Sequence, residues 1–95
     1  MDLQSKIKSV REICQQNKIS MLGVFGSVAR GEDTEASDID LLIELEKPIG
    51  LWDFITLEDK FVEILGRKVD LTTEESLHPL IRQNVMNELK ILYER

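Results

Sequence analysis

The sequence predicts an α/β (α+β) domain in which helices flank a three-stranded mixed sheet. Three observations carry this expectation. Helix-like and strand-like segments succeed one another in the order α-β-(short α)-β-α-β-α. The twelve residues between the first two strands suit antiparallel pairing. The segment between the second and third strands is long enough for a helical crossover, which suits parallel pairing.

Residues 2–16 space Leu3, Ile7, Val10, Ile13 and Cys14 as one helical face, with Lys6, Lys8, Arg11 and Glu12 opposite and Asn17 as the expected stop. Met21 to Phe25 is a short apolar run ended by Gly26, the pattern of a buried strand. Ser27 to Arg30 suits one helical turn, and Gly31 to Ser37 is polar and loop-like. Ile39, Leu41 and Ile43 alternate with Asp38, Asp40, Leu42 and Glu44, which gives a second strand with one largely apolar face. Lys47 to Gly50 is a turn.

Leu51 to Leu65 then forms a helix with a broad apolar stripe that includes Phe54, Ile55, Leu57, Phe61 and Leu65, and Gly66 stops it. Arg67 to Thr72 is a third short strand. Thr73 or Ser76 can cap the helix after it. Pro79 to Arg95 reads as one last amphipathic helix, with Leu80, Ile81, Val85, Leu89, Ile91 and Leu92 inward.

At 95 residues the chain makes one domain, spanning 1–95, with no room for a separate substrate domain. A net charge of −6 argues against a large nucleic-acid footprint, because binders of phosphate backbones are usually basic on one face. The single Cys14 allows no internal disulfide and reads as a small buried hydrophobe. No apolar run approaches the roughly 18 residues of a membrane span, so no membrane role is expected and the chain reads as soluble and cytoplasmic. His78 has no cysteine or second histidine spaced for zinc and is assigned to a turn or surface. Lys8, Arg11, Lys18, Arg67 and Lys68 read as solvated. Trp52 has two readings, core residue or exposed anchor for a partner, and Met86 and Tyr93 could extend such a surface.

The chemistry concentrates in GSVARGEDTEASDID, residues 26–40. If the first two strands pair antiparallel, Gly26 and Ser27 lie next to Asp38 and Asp40. Residues two apart on a strand share a face, so the two carboxylates point together while Ile39 points inward. Paired hard oxygen ligands suit Mg²⁺ or Mn²⁺. A parallel third strand brings Asp70, in Lys68-Val69-Asp70-Leu71, to the same side. Three carboxylates could then hold two cations about 3.5–4 Å apart, a pair that stabilises an in-line phosphoryl displacement. Asp70 would also be placed to take a proton from an attacking hydroxyl.

Gly26, lacking a Cβ, lets the backbone approach a polyphosphate. The amides after it form an anion site, and Ser27 adds a hydroxyl donor. Arg30 has two competing uses: its planar fork can reach a phosphate oxygen, or it can pair with Glu32, Asp33 or Glu35. Bland readings exist for the others too. Asp38 and Asp40 could be solvent-facing strand residues, Asp70 could cap a turn, and Ser27 could cap a helical turn.

The stretch FGSVARGEDTEASDIDLLIEL, with KVDLT later, resembles the nucleotidyltransferase superfamily of the DNA polymerase beta type. The resemblance is closest to its minimal nucleotidyltransferases, whose pattern is Gly-Ser, a ten-residue spacer and Asp-x-Asp. It covers nearly the whole chain and implies a polymerase beta-like palm fold. It also implies Mg²⁺-dependent transfer of a nucleoside monophosphate from a triphosphate. By this match Gly26 and Ser27 bind the triphosphate, and Asp38, Asp40 and Asp70 hold the metals. Small members of this kind serve as antitoxins of HEPN-domain toxins, which implies transfer of AMP from ATP onto a toxin tyrosine. Two alternatives stay open: a non-catalytic binding module of the same fold, and a transferase for a small hydroxyl compound.

Overall fold

The computed structural model describes residues 3–95. The first helix expected from the sequence starts at Asp2, which lies outside the described residues. From Gln4 to Lys6 the chain makes a 3-10 turn that leads into α1 (Ile7–Gln16). Then come β1 (Ile19–Phe25), a short α2 (Gly26–Arg30), β2 (Ile39–Leu45), α3 (Leu51–Leu65), β3 (Val69–Thr72), a second 3-10 turn (Glu74–Ser76), α4 (Pro79–Glu88) and β4 (Lys90–Glu94).

The sheet order is β3-β2-β1-β4. β1 and β2 pair antiparallel and β2 and β3 pair parallel, as the connection lengths require. The fourth strand corrects the expectation of a three-stranded sheet and of a single helix over 79–95. α4 ends at Glu88, Leu89 turns to an extended ψ of 128°, and Lys90 to Glu94 pairs antiparallel with β1. β1 is buried along most of its length, so an unpaired edge there would leave backbone N–H and C=O groups without partners. β4 supplies those partners. The break is hard to read because Val85, Leu89 and Leu92 continue a helical period through it, with no Gly or Pro to mark it.

Each face of the sheet carries its own core. On one face Leu22, Val24, Ile39, Leu41, Ile43, Val69 and Leu71 pack against Val10, Ile13 and Cys14 of α1 and Leu57, Phe61 and Leu65 of α3. On the other, Met21 and Leu42 lie under Leu77 and Val85, with Phe25, Met86 and Leu89 around them. Gly23 is needed in this second core, because a Cβ there would meet Leu89 Cδ1 at 2.6 Å. Phe61 is fully buried at the centre of the larger core. Phe61→Ala is therefore expected to cost about 3–5 kcal/mol, a large share of a small domain's stability, measured as a fall in the urea midpoint.

The helix ends agree with the sequence at Gly66, whose N–H bonds to Val62 O in a left-handed cap of α3. They differ at α4, where neither Thr73 nor Ser76 is the cap. The His78 ring accepts from Leu80 N at 3.1 Å, and Pro79 opens the helix. Thr73 and Ser76 instead bond to each other across the 3-10 turn, 2.8 Å apart. Leu80, Ile81 and Ile91, expected inward, are exposed. Trp52 is exposed as well, at 78%, beside exposed Leu51 and Ile49. Among the described residues no helix is long and apolar enough to cross a membrane.

Candidate active site

β1 runs into Gly26, and there the chain turns. Gly26 has φ +73°, in the left-handed region, and α2 starts at once behind it. The antiparallel register sets Phe25 opposite Asp40. Asp40 therefore lies against the Gly26 backbone, so closely that a Cβ on Gly26 would stand 2.2 Å from Asp40 Oδ2. The absent side chain is what lets the glycine–serine turn and the carboxylate share one place.

β2 sets the direction of the acids. Ile39 and Leu41 are fully buried in the larger core, so Asp40 between them faces the α4 side of the sheet. Asp38, two residues earlier, is exposed just before the strand begins. Asp70 is the parallel-register partner of Asp40 on β3, and it is exposed between buried Val69 and Leu71. The register thus sets Asp40 and Asp70 side by side at one end of the sheet, with Asp38 just ahead of β2. Beyond them Leu42 continues the same row under α4.

Electrostatics agree with that proximity. The Asp40 carboxyl is pushed above the usual carboxylate range, first by burial and then by the charges of Asp70 and Asp38, while Arg30 opposes the shift. Such a group is short of positive charge. Among the described residues no three acids are drawn together tightly enough to enclose an ion by themselves. Mg²⁺ does not need such a cage, since it is commonly held by one or two carboxylates plus a substrate's phosphates. The donor set fits a hard divalent cation bound together with a phosphate ligand.

Ser27 comes after Gly26 in the first turn of α2 and is half-buried. Its carbonyl accepts from Glu32 N at 2.9 Å, which folds the adjoining loop back onto α2. Arg30 lies on the same short helix. Its Nε donates to Glu32 Oε1 at 2.6 Å, and its Nη1 donates to Glu88 Oε2 at 3.0 Å. Glu32 is one of the expected partners, whereas Asp33 and Glu35 do not fill that role.

Sequence reasoning missed Glu88 and Arg67. Glu88, at the end of α4, accepts from Gly26 N at 2.7 Å across 62 residues of chain, a separation no local pattern reveals. Arg67, read as solvated, is mostly buried. Its Nη1 donates to Asp33 Oδ2 at 2.9 Å, and its Nη2 donates to Thr34 O and Ser37 O, each at 2.7 Å. It ties the loop that delivers Asp38 to the start of β3. The only local hint is its place between the helix stop Gly66 and the strand.

Arg67→Ala is expected to lower the melting temperature by several degrees at neutral pH. Arg67 holds the Asp33 carboxyl below the usual range. That contribution is complete above the ordinary carboxylate range and is lost as pH falls through Asp33's depressed value. The gap between wild type and Arg67→Ala should therefore narrow in acid, as thermal melts across pH would show.

Known proteins resemble this chain in sequence and in fold. Residues 7–92 match the nucleotidyltransferase domain family. The protein adenylyltransferase MntA of Thermococcus cleftensis is 38% identical over 79 residues, which cover 83% of this chain and 80% of that protein. A toxin–antitoxin complex with AMP-PNP contains a chain of the same fold, with TM-score 0.79, 23% identity, and coverage of 94% of this chain and 73% of that one. A second complex, of a tri-AMPylated Shewanella oneidensis HEPN toxin with MNT antitoxin, matches with TM-score 0.73 and 21% identity, covering 97% of this chain and 72% of that one. With the glycine–serine turn set against its row of acids, the chain belongs to the nucleotidyltransferase domain family and is an enzyme of that type.

Proposed function

We propose that this protein transfers AMP from ATP to a hydroxyl, a tyrosine's, on a HEPN-domain toxin, and acts as that toxin's antitoxin. The observation that carries the chemistry is the placement of Asp40, against Gly26 on one side and beside Asp70 on the other. The partner and the nucleotide rest on the relatives, one named a protein adenylyltransferase and one a complex with an AMPylated HEPN toxin.

In this reading Gly26, Ser27 and Arg30 hold the triphosphate, and Asp38, Asp40 and Asp70 hold Mg²⁺ or Mn²⁺. The bound ions supply charge neutralisation at the transferring phosphate. The Gly26–Ser27 backbone lies close enough to Asp40 to set the phosphates against the acids. Asp70, on the exposed edge strand, faces an incoming acceptor. Its carboxylate takes the tyrosine proton as the phenolic oxygen bonds to the α-phosphorus. The bond from that phosphorus to the β-phosphate bridging oxygen breaks, and pyrophosphate leaves. A neighbour of the same fold is found in complex with an AMPylated protein, which favours an acceptor that brings its own docking surface. The exposed cluster of Ile49, Leu51 and Trp52 is available for such contact.

The test incubates the chain with its HEPN partner, ATP and Mg²⁺, then weighs the partner. A gain of one or more adenylyl masses that disappears with Asp38→Ala/Asp40→Ala is expected. Neutralisation of the toxin with no gain in mass would favour plain binding. Adenylylation of an aminoglycoside with the HEPN partner left unmodified would favour a small-molecule acceptor.

A further inference from the structure

Glu88 joins the C-terminal end of α4 to the turn on which the proposed nucleotide site rests. Its Oε1 accepts from Gly26 N at 2.7 Å. Arg30 Nη1 bonds to both carboxylate oxygens, at 3.0 Å and 3.3 Å. The residue is well anchored: Val85, one turn earlier, lies in the smaller core, and Leu89, the next residue, sits over Gly23. Packed neighbours on the helix fix the point from which the Glu88 side chain reaches the turn.

The contact is more than surface pairing. Gly26 is held in a left-handed conformation, and its N–H needs an acceptor for the turn to be kept. The Glu88 carboxylate supplies that acceptor and also fixes Arg30. With Nε on Glu32 and Nη1 on Glu88, Arg30 has its guanidinium plane set from two sides, leaving Nη2 to meet a phosphate.

We propose that Glu88 is a positioning residue of the nucleotide site: through Gly26 N and Arg30 it holds the glycine–serine turn and the guanidinium in the arrangement that receives a triphosphate. This role rests on the proposed nucleotidyltransferase function. It gives α4, which carries none of the predicted site residues, a part in nucleotide binding.

The test uses the full chain with ATP and Mg²⁺ in calorimetry, together with amide hydrogen exchange in the absence of nucleotide. In Glu88→Ala the Gly26 amide should exchange at least about tenfold faster while the Leu22 and Leu41 amides keep their protection. The Kd for Mg·ATP should rise about tenfold, the scale of one lost charge-assisted hydrogen bond. Glu88→Gln keeps an acceptor for Gly26 but loses the charge facing Arg30, and it should fall between the two.

Binding by Glu88→Ala as tight as wild type, or tighter, would overturn the inference alone; the tighter result would mark Glu88 as a competitor of phosphate. Should the alanine variant not fold, a Kd for Glu88→Gln no higher than wild type overturns it equally. Wild-type protein that takes up no Mg·ATP would instead remove the functional reading, and this inference with it.

Discussion

Asp38→Ala/Asp40→Ala is expected to lower AMP transfer by at least about 10³-fold while the protein stays folded. The magnitude comes from losing several kcal/mol of charge stabilisation at the transferring phosphate, each 1.36 kcal/mol being about tenfold. The fold should survive because neither Asp38 nor Asp40 is fully buried and neither belongs to a core cluster. Single-turnover transfer to the partner, monitored by mass, checks the rate, and far-UV circular dichroism checks the fold.

The same geometry predicts a gain in stability from removing one charge. Burial and the neighbouring acids raise the Asp40 pKa in the folded state, so the folded protein holds that proton more tightly than the unfolded chain. Ionised Asp40 therefore opposes folding at neutral pH, and this opposition fades as pH falls and the group protonates. Asp40→Asn should melt above wild type at pH 7, with the difference vanishing in acid, even as transfer is lost. A melting temperature equal to or below wild type would mean that the acids do not crowd one another as described.

Gly26→Ala carries the second large effect. Two costs coincide at this residue. An L side chain at φ +73° meets a left-handed penalty of roughly 1–2 kcal/mol. Its Cβ would also stand 2.2 Å from Asp40 Oδ2. The carboxylate can swing aside, since it is the end of a side chain, but that moves the group proposed to hold the metal. A displacement of about 1 Å in such a site can cost about 10²-fold in rate. Gly26→Ala should thus lose about 10²-fold in transfer with only a modest fall in the urea midpoint. Gly31→Ala is the matched control: it has a similar φ of +72° and nothing within 4 Å of a Cβ. It should share the backbone penalty and keep most of the activity.

The features legible in the sequence are local or periodic. The alternation Asp38-Ile39-Asp40-Leu41 assigns the acids to one face. The loop and helix lengths assign the antiparallel and parallel neighbours that set Asp40 beside Phe25 and Asp70. Interactions that close over long separations are not legible. β4 hides because Leu89 and Leu92 fit a helical period as well as a strand, and only the unpaired edge of β1 decides between them. Arg67 and Glu88 are ordinary charged residues in sequence. Their roles arise from what the folded chain sets opposite them, a loop of carbonyls in one case and the Gly26 N–H in the other. The outward turn of Leu80 and Ile81 escapes for a related reason: helical spacing shows that a stripe exists but not how far the sheet beneath extends to cover it.

The most direct measurement is a crystal structure of the chain with Mn²⁺ and a non-hydrolysable ATP analogue, read by the anomalous signal of manganese. The expected result is a peak bonded to Asp38 and Asp40, within reach of Asp70, with the triphosphate tail lying along Gly26 and Ser27. A peak elsewhere on the chain, or a nucleotide bound away from the glycine–serine turn, would contradict the proposed site.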